Sequence, residues 1–149
     1  MIIYANHIII DKPKKEVFDY LTIPVNWTSY LPFTVDVKPT VETAFTVNKQ
    51  VTEFLNVLGI KSQIHWTCTE NDTVTNYVIA GKCNNFGGST SRLSYKLLEK
   101  EGKTEVKRRI VLKQNSLIMR FAEPFMRLFF IFEANLGLNK AKSIIESKS

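Results

Sequence analysis

The chain is short of the residues on which most catalytic and metal chemistry depends: its 149 residues include two cysteines, two histidines, six glycines and five prolines. So few ligand-type side chains give no cluster from which a zinc or iron site could be built, and no metal is expected. No Gly-x-Ser-x-Gly elbow, His-Glu-x-x-His pair, phosphate loop or dinucleotide fingerprint occurs, and Gly87-Gly88 reads as a hairpin turn. No cofactor is therefore expected. No Pro/Gly/Ser linker, repeat or low-complexity tract divides the chain, so one domain over residues 1–149 is expected. The longest uninterrupted apolar run is far below the ~20 residues of a transmembrane span. The start, Met1-Ile2-Ile3-Tyr4-Ala5-Asn6-His7, is strand-like and soon polar, unlike a basic segment followed by an apolar one. A cytoplasmic location is the expectation.

Cys68 and Cys83 fall on strands joined by a turn at Asn71-Asp72-Thr73. That places Cys68 opposite residues 75 to 77 and, at ~3.3 Å per residue, on the order of 20 Å from Cys83, beyond disulfide reach. Two reduced, partly buried thiols are expected. His7 and His65 sit at strand positions on the expected outer face, so each reads as a surface residue rather than a general base.

What the chain has in quantity is phenylalanine, ten residues, with 44% hydrophobic content overall. Such side chains either fill a core or line a cavity. The net charge of +6 invites a nucleic-acid reading. Strand alternation, however, turns Arg108 to the face opposite Lys107 and Arg109, so the densest basic triplet is not one patch. With no nucleic-acid-binding motif beside it, nucleic acid is not an expected partner.

The middle of the chain alternates apolar and polar residues over Phe45 to Leu58, Ile60 to Glu70, Val74 to Asn84, Ser89 to Glu99 and Thr104 to Gln114. Gly59, Asn71-Asp72, Phe86-Gly87-Gly88 and Glu101-Gly102 punctuate these runs. Strands joined by such short turns are antiparallel. Residues 33–39 form a shorter strand, and an apolar strand opens the chain, which makes about seven.

That first strand runs through Ile8-Ile9-Ile10-Asp11-Lys12-Pro13 into a helix carrying Glu16-Val17-Phe18-Asp19-Tyr20-Leu21; Pro24, Asn26-Trp27 and Tyr30-Leu31-Pro32 mark a break and a second short helix. The pattern resembles the START-like, or Bet v 1-like, superfamily with its polyketide cyclase/dehydrase and lipid transport members. Lys12 stands where that family usually has alanine. The resemblance implies an α+β helix-grip fold: a curved antiparallel sheet, two short helices after the first strand, and a long C-terminal helix over a cavity. Its motifs bear on the fold and carry no catalytic constellation over to this chain.

Alternation then nominates the cavity residues. Trp66, Tyr77, Ile79, Tyr95 and Ile110 share the apolar face, with Cys68, Gly81 and Leu93. Lys49, Glu53 and Arg108 fall on it as charges, with two readings: they pair or reach water at the sheet end, or they orient a ligand inside a mostly apolar pocket.

The closing segment, Leu117 to Glu146, has apolar residues at helical spacing, and Pro124 is expected to kink or divide it. By the resemblance, Phe121, Phe125, Leu128, Phe129, Phe132 and Leu136 form the lid of the cavity. One helix face cannot hide the whole run from Leu128 to Phe132, so Phe130 or Ile131 is expected to be exposed, packed on the kinked half or buried in a partner. A homodimer contact is one reading; a basic amphipathic helix on an anionic membrane, with Arg120, Arg127, Lys140 and Lys142 at its border, is the other.

Two functions follow as expectations. The first is binding or transport of a hydrophobic small molecule, lipid-like or polyketide-like, oriented by Tyr77, Tyr95 or Arg108. The second is a polyketide cyclase, aromatase or dehydratase activity in the same cavity, with Glu53 and Tyr77 or Tyr95 moving protons. Convergence of these groups in one dry cavity separates the two.

Overall fold

The computed structural model describes residues 1–83 and 88–148. Its strands are β1 (Ile2–Ile10), β2 (Thr34–Lys38), β3 (Gln50–Val57), β4 (Ile60–Asn71), β5 (Asn76–Cys83), β6 (Thr90–Lys100) and β7 (Lys103–Lys113), and its helices α1 (Lys14–Thr22), α2 (Trp27–Tyr30), α3 (Leu117–Phe121) and α4 (Glu123–Glu146). The strands form one seven-stranded antiparallel curved sheet in the order β1-β7-β6-β5-β4-β3-β2. Sequence neighbours pair throughout from β2 to β7, as short turns require. The one distant pairing joins β1 to β7, from Ile2 opposite Leu112 to Ile10 opposite Thr104.

Two of the turns show why the chain reverses where it does. Leu58 and Gly59 have φ of 52° and 88°, and Glu101 and Gly102 have φ of 56° and 78°. Both residues of each two-residue loop are left-handed, the hairpin geometry whose twist matches that of the strands. The β4–β5 turn is organised differently, by Asp72. Its carboxylate accepts from the backbone N–H groups of Val74, Thr75 and Asn76 at 3.0, 2.7 and 2.9 Å. Burial works to raise its pKa, but these bonds outweigh it and hold the carboxyl at about 2.

The Asn26-Trp27 and Tyr30 signature has a local job. The end of α1 leaves carbonyls without helical partners. Trp27 Nε1 and Tyr30 Oη both donate to the Leu21 carbonyl, at 3.3 and 2.7 Å, and Asn26 Nδ2 donates to that of Tyr20 at 3.1 Å. The second short helix thereby caps the first, and Val17, Phe18 and Leu21 are buried against the sheet.

Three expectations are corrected. The strand expected from Phe45 begins only at Gln50. Asn48 takes a left-handed φ of 71°, which breaks the alternation. Phe45 is buried from a loop, while Val47 and Lys49 are exposed; Lys49 is thus no cavity residue.

Cys68 lies opposite Ile79 rather than residues 75 to 77, because the pairing shifts between Cys68 and Glu70 and the turn is longer than expected. Both cysteines are buried and unpaired.

The third correction concerns the helix. The closing segment is divided at Ala122, with Pro124 in the first turn of α4, as the proline allows. The face of α4 turned inward carries Ala134, Gly137, Leu138, Ala141 and Ile145. At Gly137 this face runs close to α2: a side-chain carbon there would sit in contact with Leu31 at 3.5 Å and the Tyr30 carbonyl at 3.6 Å. The expected lid side chains Phe121, Phe125, Leu128, Phe132 and Leu136 consequently point outward and are exposed. With apolar residues on both sides of the helix, spacing alone could not choose the buried one. The turn expected at Phe86-Gly87-Gly88 and the strand end at Asn84 lie largely outside the described residues.

Candidate functional site

The sheet and the first half of α4 enclose a cavity of about 70 Å³. Its apolar wall includes Ile79, Leu93 and Ile110 from the sheet and Phe129 and Phe130 from α4. Trp66, Tyr77, Tyr95, Glu53 and Arg108 face it as well. Of the sequence-nominated residues, eight converge here: Glu53, Trp66, Tyr77, Ile79, Tyr95, Arg108, Ile110 and Phe129. Phe121, Phe125 and Phe132 do not.

The polar groups form a connected cluster within this wall. Glu53 is 5% exposed; its Oε2 accepts from Thr34 Oγ1 at 2.5 Å and its Oε1 from Trp66 Nε1 at 3.0 Å. Burial pushes the Glu53 pKa up, and the two hydrogen bonds and Arg108 offset this only in part. Arg108, equally buried, lies 3.5 Å from Glu133 Oε2 through both terminal nitrogens. Burial works against its charge, but Glu133 and the neighbouring tyrosines more than compensate, so the guanidinium stays protonated. Tyr95 interacts with both Tyr30 and Arg108. Burial raises the pKa of Tyr30, Tyr77 and Tyr95, so each is a neutral hydroxyl.

Two of these groups lack a partner. Tyr77 Oη and Arg108 Nε are buried and make no hydrogen bond among the described residues. A buried donor left so is costly, and native proteins rarely leave one without water or a ligand to meet it.

The tyrosines are held by rings. Tyr77 stacks on Tyr95 with centroids 6.1 Å apart and meets Phe18 edge-on at 6.3 Å. Phe33 and Phe129 close the α4 side at 4.8 Å. Trp66 lies over Gly81, its partner across the ladder. A Cβ at Gly81 would fall 2.6 Å from the indole carbons, so glycine makes room for the ring that holds Glu53.

Sequence reasoning missed Tyr30, Phe33, Thr34 and Glu133. Alternation cannot nominate Tyr30 and Glu133 on helices or Phe33 in a loop, and Thr34 opens β2 where the pairing shifts between Thr34 and Asp36. Glu133 left a trace, since it is the one charge between Leu128 and Leu138. A second, shallow depression of about 720 Å³ lies on the opposite face of the sheet, with His7, Ser94, Lys107 and Arg109 around it. It is open to solvent, and most of the charges around it are exposed. Among the described residues no group of three or more His, Cys, Asp or Glu could hold a metal ion, and no helix is long and apolar enough to cross a membrane.

No curated protein matches the chain in sequence. Solved structures do match in fold. A conserved protein from Geobacillus kaustophilus aligns with a TM-score of 0.80 at 11% identity, over 98% of this chain and 96% of its own. A protein from Chromobacterium violaceum gives 0.78 at 11% identity, over 97% and 96%. Ara h 8.0201 gives 0.67 at 11% identity, over 99% of both chains. These likenesses confirm the Bet v 1-like helix-grip architecture. Residues 1–146 match the family model described as polyketide cyclase / dehydrase and lipid transport, and the chain belongs to that family.

Proposed function

We propose that this protein, a single domain over residues 1–149, binds a hydrophobic small molecule, lipid-like or polyketide-like, in the cavity between the sheet and α4. The observation that carries this reading is the pairing of an apolar wall with the partnerless Tyr77 Oη and Arg108 Nε. An apolar ligand body gains from leaving water, and one ligand oxygen near Arg108 supplies the acceptor its Nε lacks. At about 70 Å³ the cavity is below the roughly 300 Å³ at which drug-sized pockets begin. A larger ligand therefore enters by displacing Phe129 and Phe130 outward with the first half of α4. A cytoplasmic location accompanies the proposal, and the two unpaired thiols are consistent with it.

The second reading, a cyclase, aromatase or dehydratase, draws on one observation: Glu53, Tyr77 and Tyr95 line the same cavity. A carboxyl with a raised pKa beside neutral hydroxyls is a proton-transfer set suited to a folded polyketone. Native mass spectrometry of protein from its own host tests both. A stoichiometric hydrophobic compound, released on denaturation, supports binding. An empty protein that turns over a linear polyketone supports the enzyme, and an empty protein inert towards both lipids and polyketones overturns the two together.

A further inference from the structure

Among the described residues the outward side of α3 and α4 is largely uncovered, although Phe132 meets the Phe33 ring at 6.4 Å. Leu117, Ile118, Phe121, Phe125, Leu128 and Phe132 are between 57% and 88% exposed. Within α4, Phe125, Leu128 and Phe132 recur at intervals of three and four and form one stripe, and exposed Leu117, Ile118 and Phe121 of α3 precede it across the break at Ala122. An apolar patch of this kind on a folded surface marks something it binds.

Charge distinguishes the occupants. Between Asn115 and Asn139 the carboxylates are Glu123 and Glu133. Glu123 is bound to the N-terminal ammonium at 2.8 Å, and Glu133 faces inward to Arg108. The exposed charges of the segment are Arg120 and Arg127, and exposed Lys113 and Lys140 follow at either end. A second copy of the chain laid on this stripe across a two-fold axis would bring arginines towards arginines, with no exposed carboxylate in the segment to meet them. An anionic lipid surface offers both an acyl boundary for the phenylalanines and negative headgroups for the arginines.

We propose that the outward face of α3 and the first half of α4 docks onto anionic membrane, lying in the interface plane. The proposal does not require the cavity to be occupied. Insertion of Phe121 and Phe125 supplies the apolar contact, and Arg120 and Arg127 reach the headgroups. The break at Ala122 lets the two helices adjust to the surface separately.

The test is co-sedimentation of the full chain with phosphatidylcholine vesicles, with and without phosphatidylglycerol. Binding is expected only with phosphatidylglycerol, weakening as ionic strength rises. F121S/F125S should bind at least about tenfold more weakly, and each of Arg120→Gln and Arg127→Gln roughly fivefold more weakly. All four side chains are exposed, so the fold should persist, which far-UV circular dichroism checks. Hydrogen exchange of wild type gives a second readout: amides of residues 117–132 should be protected by anionic vesicles and not by neutral ones. Absence of vesicle binding overturns the proposal, as does binding that F121S/F125S leaves unchanged. A wild-type dimer that F121S/F125S converts to monomer also overturns it, in favour of a second copy on the stripe.

Discussion

Trp66 Nε1 donates its 3.0 Å hydrogen bond to Glu53 although the two residues are diagonal neighbours, Glu53 facing Ile64 and Trp66 facing Val51 across the β3–β4 ladder. Diagonal positions lie within reach of a large aromatic side chain. The indole can lean this way because Gly81 leaves space beneath it. One strand pair thus supplies both the carboxylate of the site and the donor that orients it.

Gly81→Ala should disturb this arrangement by contact alone, since Gly81 is not in the left-handed region that disfavours alanine. The new methyl would meet the indole at 2.6 Å, and Trp66 must shift. Overpacking of this kind costs about 1–3 kcal/mol. Urea denaturation should show the loss, and a change in tryptophan emission should report displacement of Trp66 from Glu53.

Glu53 makes stability depend on pH. Its folded pKa lies above the ordinary 4.5, so over the interval between the two the folded state holds a proton that the unfolded chain has released. Stability therefore falls as pH rises from the unfolded pKa through the folded one, and below the unfolded pKa this cost is absent. Glu53→Gln keeps an acceptor for Trp66 and carries no charge to bury. It should be more stable than wild type at neutral pH and lose that advantage in acid, as thermal melts across a pH series would show.

Arg108 and Glu133 should behave as a unit. Arg108→Met leaves the Glu133 carboxylate without its cation, and removing one partner of a buried pair costs about 3 kcal/mol or more. Glu133→Met strands a guanidinium that is 5% exposed. The double variant restores an apolar contact and should recover much of the loss, so a double-mutant cycle in urea should give a coupling of about 3 kcal/mol, the upper end for side chains in contact.

Tyr77→Phe separates stability from function. The hydroxyl it removes is buried and has no partner among the described residues, so the ligand-free protein should melt at an unchanged or higher temperature, with a gain of up to about 1 kcal/mol. Under the proposed function the same change should weaken ligand binding, which titration calorimetry with the identified compound would measure.

The first strand, the paired helices, the turns at Gly59 and Glu101-Gly102, and the inward-facing set of Trp66, Tyr77, Ile79, Tyr95, Arg108 and Ile110 were legible in the amino-acid order. Strand alternation has period two, so one apolar face defines the other. Glu53 was legible in the same way, although the strand holding it starts five residues later than its pattern suggested.

Alternation and punctuation are local properties, which is why the primary structure carried them unaided. The orientation of α4, the partnership of Arg108 with Glu133 and the exposure of Phe121, Phe125 and Phe132 depended on the folded chain. They turn on which of two apolar helix faces packs inward, and in the folded chain that is the face of Ala134, Gly137, Leu138, Ala141 and Ile145. Close approach is a property of two surfaces in contact, and no spacing within one segment encodes the shape of the other.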